Sequence, residues 1–141
     1  MPENNLSTTG KKVKIFLAGD SDWMVRLKTA LGEKNKIFLI ESGEKLLDTV
    51  VLLQQFKPDV IVAGIRLNDA HVSELLSMIE DERERPVLLL VYPEQIEQAQ
   101  SLGSEQITDY DLLTETNVKD FSHIISRTLR LHTRITGRPE R

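Results

Sequence analysis

The chain has 141 residues, which is the size of one ordinary domain. Hydrophobic residues make up 40% of it and charged residues 28%, which excludes an intrinsically disordered chain. A formal net charge of −4 argues against a general nucleic-acid binder, since such proteins are normally basic. The chain contains no cysteine, which excludes disulfides, thiolate metal sites and thiol catalysis.

The apolar runs of the chain are short. A run such as residues 87–91 is far below the roughly 20 residues that are needed to span a bilayer. Residues 1–12 lack the apolar core of a signal peptide. Together with the absence of cysteine, these features lead us to expect a cytoplasmic protein with no membrane partner.

The first half of the chain alternates short apolar runs with amphipathic segments. The polar segment 1–12 shows no periodicity, and we expect it to be a disordered lead-in. A first helix, with Met24, Leu27 and Leu31 as its apolar stripe, is expected to begin at Asp22 and to close at Gly32, and a second to begin at Ser42. The predicted strands of this half are residues 13–18, 36–40 and 58–64. The predicted buried face of the second helix is Leu46, Leu47, Val50, Leu53 and Phe56.

The second half continues the same alternation. Pro93 suits the first position of a short fourth helix, and Asn117 with Asp120 resembles a capping box for the last helix. We expect residues 135–141 to form a frayed tail. The predicted strands here are residues 87–91 and 106–110. The predicted inner stripe of the third helix is Val72, Leu75, Leu76 and Ile79. That of the last helix is Val118, Phe121, Ile124, Ile125 and Leu129.

Five strands that are each followed by a helix predict an α/β fold of (βα)₅ type. This is a doubly wound, parallel five-stranded sheet with helices on both faces, formed as a single domain by residues 13–134. In such sheets, ligands bind beyond the carboxyl ends of the strands. The residues that follow the carboxyl ends of the strands are therefore the candidates for a catalytic or binding site.

The segment 58–69, Pro-Asp-Val-Ile-Val-Ala-Gly-Ile-Arg-Leu-Asn-Asp, resembles the third strand and following loop of response-regulator receiver domains. In that family, a phosphate-accepting Asp ends the strand and a hydrophobic-Arg/Lys-hydrophobic-Pro-Asp stretch follows. Residues 65–69 match that stretch with Asn in place of Pro. With the element order and chain size, the resemblance covers about residues 13–134 and implies a module of two-component signalling.

The resemblance also implies a set of phosphorylation-site positions, most of which carry unsuitable residues here. The phosphate acceptor falls on Gly64, and the pair of acids after the first strand falls on Gly19 and Asp20. The Thr or Ser ending the fourth strand falls on Val91, and the Lys ending the fifth strand falls near Tyr110. The aromatic switch position falls on Ile107. We therefore expect a degenerate receiver that performs no catalysis and holds no cofactor or metal.

Two alternatives remain open at this point. A neighbouring acid, namely Asp20, Asp22 or Asp69, could accept the phosphoryl group in place of the missing one. Alternatively, the residues Gly-Asp-Ser at 19–21 resemble a block of SGNH-type esterases. There Ser21 would be the nucleophile, with Asp120 and His123 completing a triad.

Charge along the chain points to a binding surface. Residues 61–118 hold three basic and twelve acidic residues, whereas residues 119–141 hold six basic and two acidic ones. In receivers, the fourth helix, fifth strand and fifth helix form the output surface. We predict that this surface binds a protein of the signalling pathway and pairs two copies of the chain by charge complementarity. Its predicted residues are Glu94, Glu97, Ile107, Tyr110, Asp111, Arg127, Arg130 and Arg134.

Overall fold

A computed structural model describes residues 12–32, 37–79, 86–102, 107–112, 114 and 120–136. All five strands pair in parallel in one sheet with the order β2-β1-β3-β4-β5, which confirms the predicted doubly wound α/β fold. The strands are β1 (Val13–Ala18), β2 (Phe38–Gly43), β3 (Val60–Ala63), β4 (Val87–Val91) and β5 (Asp109–Leu112). The helices are α1 (Ser21–Gly32), α2 (Leu46–Phe56), α3 (Val72–Met78), α4 (Ile96–Leu102) and α5 (Phe121–Thr136).

The sheet separates two apolar cores because successive side chains of a strand point to opposite faces. Ile15 and Leu17 of β1 point into the first core, which α1 and α5 cover. Phe16 and Ala18 of the same strand point into the second core, which α2, α3 and α4 cover. Both faces of the sheet are therefore buried, as the continuous apolar runs of β3 and β4 predict.

Helices α1 and α3 bury the stripes that their sequences predict. Met24, Leu27 and Leu31 of α1 are all at most 2% exposed. The predicted stripe of α3 is likewise buried from Val72 to Ile79. Among the described residues, no helix is long and apolar enough to cross a membrane.

The β2–α2 region differs from the sequence prediction in two ways. Strand β2 extends to Gly43, so Ser42 lies in the strand and α2 begins at Leu46, four residues beyond the expected start. The cause is pairing, since β2 runs alongside β1 until Ala18 meets Gly43, whereas apolarity alone ends at residue 40. The predicted inward position of Leu47 is also wrong: its side chain is 67% exposed, and Thr49 is fully buried instead.

The last strand and its neighbouring helices also shift from their predicted bounds. Strand β5 is Asp109–Leu112 rather than residues 106–110, because its pairing with β4 continues until Val91 meets Leu112. Pro93 opens a short 3₁₀ turn, Pro93–Gln95, and α4 follows it. The predicted cap residue Asn117 and stripe residue Val118 lie outside the described residues. Buried Phe121, Ile124 and Ile125 confirm the rest of the predicted α5 face apart from half-buried Leu129.

Candidate functional site

Two glycines end strands β1 and β3 at the carboxyl edge of the sheet. The amide of Gly64 donates a hydrogen bond to the carbonyl of Ala18 at 2.9 Å, and the amide of Gly19 donates to the carbonyl of Gly43 at 3.3 Å. Gly19 and Gly64 are buried, and neither has a side chain to present at this edge. Val91, which ends β4, is 3% exposed and packs into the second core. Three of the strand-end positions therefore offer no polar side chain.

The loop between β3 and α3 is fixed by packing and main-chain hydrogen bonds. Ile65 and Leu67 are each 2% exposed and belong to the second core. The amide of Val72 donates to the carbonyl of Ile65 at 2.8 Å. Asn68, which stands where the family has Pro, donates its amide to the carbonyl of Glu44 at 2.7 Å and its side-chain Nδ2 to Glu44 Oε1 at 3.0 Å. The loop is thus tied to the segment that precedes α2.

The candidate acids differ in what they do in the fold. Asp69 Oδ1 accepts a hydrogen bond from the amide of Leu46 at 2.9 Å, so this carboxylate caps the start of α2. Helix α3 is capped by His71, whose Nδ1 accepts from the amide of Ser73 at 3.1 Å. Asp20 is half-buried at the edge, and the side chain of Asp22 lies outside the described residues. In the described part of the chain, no three His, Asp or Glu side chains are placed to hold a metal ion.

An apolar groove of about 540 Å³ lies between α4 and β5. Ile96 and Tyr110 are its most accessible apolar side chains, at 37% and 40% exposed. Buried Val91 and Ala99 lie deeper, and Asp111 also lies along the lining, while its carboxylate pairs with Arg127 of α5. Its size and lining fit one or two apolar side chains of a partner. The groove residues are Val91, Ile96, Ala99, Gln100, Tyr110, Asp111 and Leu112.

Arg127 of α5 joins the helix to β5 through two ion pairs. Its Nε donates to Asp109 Oδ2 at 2.9 Å, and its Nη2 donates to Asp111 Oδ2 at 2.5 Å. Thr128 Oγ1 also lies 3.4 Å from Asp109 Oδ2. Although partial burial lowers the pKa of Arg127, hydrogen bonds to Asp111 and Asp109 outweigh it and raise that pKa above its ordinary value. We call Arg127, Asp109 and Asp111 the β5–α5 clamp.

Solved structures of receiver domains share this arrangement of strands and helices. A signal receiver domain from Vibrio parahaemolyticus matches with a TM-score of 0.70 and 17% identity over 87% of this chain and 94% of that one. A response regulator receiver domain protein from Clostridium thermocellum matches at 0.69 and 14%, over 84% and 94%. The chemotaxis response regulator CheY4 of Vibrio cholerae matches at 0.62 and 16%, over 84% and 99%. No protein-family model and no curated protein matches the sequence.

The chain has the receiver fold. It spans nearly the whole length of each of these receiver domains. The carboxyl edge described above therefore corresponds to the end of the receiver fold where the resemblance places the phosphorylation site, and the groove lies between the fourth helix and the fifth strand.

The predicted receiver positions on the fifth strand need a correction. Tyr110 is the second residue of β5 and not its end, because it pairs with Leu89 in the middle of β4. The strand end, where the receiver resemblance expects a Lys, is Leu112. Ile107 precedes the strand and is half-buried against the second core, so Tyr110 is the aromatic residue on the strand. The lack of a Lys at the strand end is unchanged.

Of the three esterase residues, the two with described side chains, Asp120 and His123, do not pair as a triad requires. Ser21 begins α1 at the carboxyl edge, and its side chain lies outside the described residues. Asp120 and His123 are both exposed at the start of α5. Their described contact is a main-chain hydrogen bond from the His123 amide to the Asp120 carbonyl at 3.0 Å, so the carboxylate does not orient the imidazole as a triad requires.

The other predicted surface residues lie around the groove and the clamp. Glu94, Glu97 and Arg130 are exposed, and the side chain of Arg134 lies outside the described residues. The sequence predicts Asp111 and Arg127 on a surface that binds a partner. In the structure the two side chains form an ion pair within the chain. Asp109 and Asp111 are two residues apart in a strand, so their side chains point to the same face. This spacing is the sequence signal that one cation could pair with both acids.

Proposed function

We propose that this chain is a receiver domain of a two-component signalling pathway in the cytoplasm, and that it acts by binding a protein without being phosphorylated. One observation carries the proposal. Gly64 stands at the end of β3, where the receiver resemblance places the phosphate-accepting carboxylate, and it is buried beside the end of β1. A position without a side chain supplies no nucleophile.

The neighbouring positions support the same proposal on chemical grounds. Phosphoryl transfer to a carboxylate requires a nucleophile, a Mg²⁺ ion held by oxygen ligands, and groups that stabilise the charge of the transferring phosphoryl. Gly19 removes one of the two expected acids, and Val91 removes the hydroxyl. Leu112 stands at the strand end in place of a cation. Asp69, the nearest alternative in sequence, is engaged as the cap of α2.

The surface formed by α4, β5 and α5 is the proposed binding site. In a protein with two conformations, a ligand shifts the balance only by binding one of them more tightly. Here the β5–α5 clamp holds the strand against the helix by itself, which favours one arrangement of the surface. The groove then offers Ile96 and Tyr110 as an apolar contact beside exposed Glu94 and Glu97, which suits an apolar and basic segment of a partner protein.

Pairing of two copies through the surface formed by α4, β5 and α5 stays a prediction. It rests on the opposite charges of neighbouring elements in that surface. The clamp uses Arg127, Asp109 and Asp111 within one chain, so these charges contribute less to a contact between chains. Arg130, Glu94 and Glu97 remain for such a contact.

Photo-cross-linking tests the proposed partner surface. We expect Ile96→benzoylphenylalanine to form an adduct with a partner protein in native cytoplasm, because Ile96 lies in the groove. The adduct yield should not change when the protein is first treated with acetyl phosphate and Mg²⁺. Val25→benzoylphenylalanine is the matched control, since Val25 is 62% exposed on α1, away from the groove. No adduct at Ile96, or an adduct that appears only after the phosphodonor, would contradict the proposal.

A further inference from the structure

Helix α2 exposes two large apolar side chains, Leu47 and Val51, on the side that faces solvent. Its eleven residues, Leu-Leu-Asp-Thr-Val-Val-Leu-Leu-Gln-Gln-Phe, include one charged side chain, Asp48. Thr49 and Leu53 are buried and define the inward side. Leu47 is 67% exposed and Val51 is 52% exposed, and the two lie one turn apart on the same outward stripe.

This outward stripe is not explained by the core of the chain. A surface helix normally places charged and polar residues opposite its buried face, so two large apolar side chains one turn apart on that side are unusual. On the helical period, Leu47 and Val51 lie nearly opposite Thr49 and Leu53. Their exposed neighbours on this side of the helix are Asp48, Gln54 and Gln55. Leu47 and Val51 therefore form a small apolar area with a polar rim.

We propose that α2 packs antiparallel against α2 of a second copy of this chain, about a two-fold axis. This inference is independent of the proposed partner surface at α4, β5 and α5. Placing Leu47 of one copy against Val51 of the other repeats the contact twice and buries both apolar side chains of each copy. A two-fold contact of this kind closes on itself and stops at a dimer.

The charges at the two ends of α2 favour a second copy as the occupant. Glu44 is exposed just before the helix begins, where its Oε1 also accepts from Asn68 Nδ2, and Lys57 is exposed just after the helix ends. The antiparallel arrangement brings Lys57 of each copy to within roughly one helical turn of Glu44 of the other. It also places the positive end of each helix dipole beside the negative end of its partner. An acidic lipid surface is disfavoured, because the stripe has no basic residue between Lys45 and Lys57.

The expected interface is small. A helix of eleven residues is only about 16 Å long, so this contact lies at the low end of specific interfaces. We therefore expect monomer and dimer to interconvert with protein concentration. A cross-linking readout suits such an equilibrium, and the absence of native cysteine gives an introduced thiol no competitor.

Single-cysteine cross-linking of the full chain with a short bismaleimide tests the proposal. Val51→Cys should give a cross-linked dimer, and adding Leu47→Glu should abolish it. Val25→Cys, at a position on α1 that is 62% exposed against 52% for Val51, is the control and should stay monomeric. Tyr110→Cys reports on pairing through the groove surface. A failure of Val51→Cys to cross-link, a yield no higher than that of Val25→Cys, or a dimer at Tyr110→Cys alone would overturn the proposal.

A charge reversal tests the antiparallel register separately. Lys57→Glu should lower the yield of the Val51→Cys dimer, because it places two acids side by side at each end of the contact. Adding Glu44→Lys should restore the yield by reversing both charges together. If the double reversal stays as low as Lys57→Glu alone while circular dichroism shows both variants folded, the proposed antiparallel pairing is wrong.

Discussion

We expect Gly43→Ala to lower the free energy of unfolding by about 2 kcal/mol, the range of cost for overpacking a core. Gly43 ends β2 where α2 crosses closest to the sheet. A Cβ at this position would lie 2.3 Å from Thr49 Oγ1 and 3.0 Å from the Cα of Thr49. The second of these atoms is backbone, so the whole helix must shift to admit a methyl group. Urea unfolding followed by circular dichroism measures the loss.

The double variant Gly43→Ala/Thr49→Ala is the matched control for this prediction. Thr49 is fully buried, and its Oγ1 makes no hydrogen bond among the described residues. We therefore expect Thr49→Ala alone to cost less than about 1 kcal/mol, because it removes an unsatisfied buried hydroxyl. The double variant should recover part of the Gly43→Ala loss. A Gly43→Ala protein as stable as wild type would show that α2 does not approach β2 this closely.

We expect Arg127→Met to cost about 1.5 kcal/mol, the low end for hydrogen bonds to charged groups. The substitution leaves Asp109 and Asp111 without their shared cation, while Met keeps much of the apolar stem. Arg127 is 42% exposed and its two acids are 16% and 18% exposed, so solvent weakens the pairs without removing them. The measurement is again the free energy of unfolding in urea. The same variant should broaden the amide resonances of β5 and α5, because the clamp joins these two elements.

Arg130→Met is the control on the same helix, since Arg130 is exposed to solvent. It should stay within about 0.5 kcal/mol of wild type, as surface substitutions normally do. Combining Arg127→Met with Asp109→Asn and Asp111→Asn completes a mutant cycle that isolates the coupling. Equal losses from Arg127→Met and Arg130→Met would contradict a stabilising role of the clamp.

Much of the fold follows from the sequence because apolar periodicity reports burial directly. The continuous apolar runs of β3 and β4 and the stripes of α1 and α3 are buried as predicted. Strands β2 and β5 shift because their ends are polar and are held by main-chain pairing, which side-chain hydrophobicity does not record. Leu47 and Thr49 are misplaced for a related reason, since the position of α2 on β2 depends on its close contact with Gly43.

The candidate site also contains features that follow from the sequence and features that depend on the folded chain. That Gly64 and Gly19 present no side chain can be read from residue identity, and the receiver resemblance makes them proposed site positions. The capping of α2 by Asp69 cannot be read in this way, because Asp69 and Leu46 are brought together only by the fold. The same holds for the clamp, where Arg127 reaches acids sixteen and eighteen residues away in sequence. Charged side chains that have no evident partner in the sequence are therefore in part paired within the folded chain.

The most direct measurement of the central claim is the intact mass of the protein after incubation with acetyl phosphate and Mg²⁺. Because Gly64 stands at the proposed acceptor position and has no side chain, we predict no gain in mass at any time point. Asp20→Asn, Asp22→Asn and Asp69→Asn should have the same null result, because none of these acids is expected to act as acceptor. A stable gain of one phosphoryl group in the wild type, lost in one of these variants, would contradict phosphorylation independence and identify the acceptor.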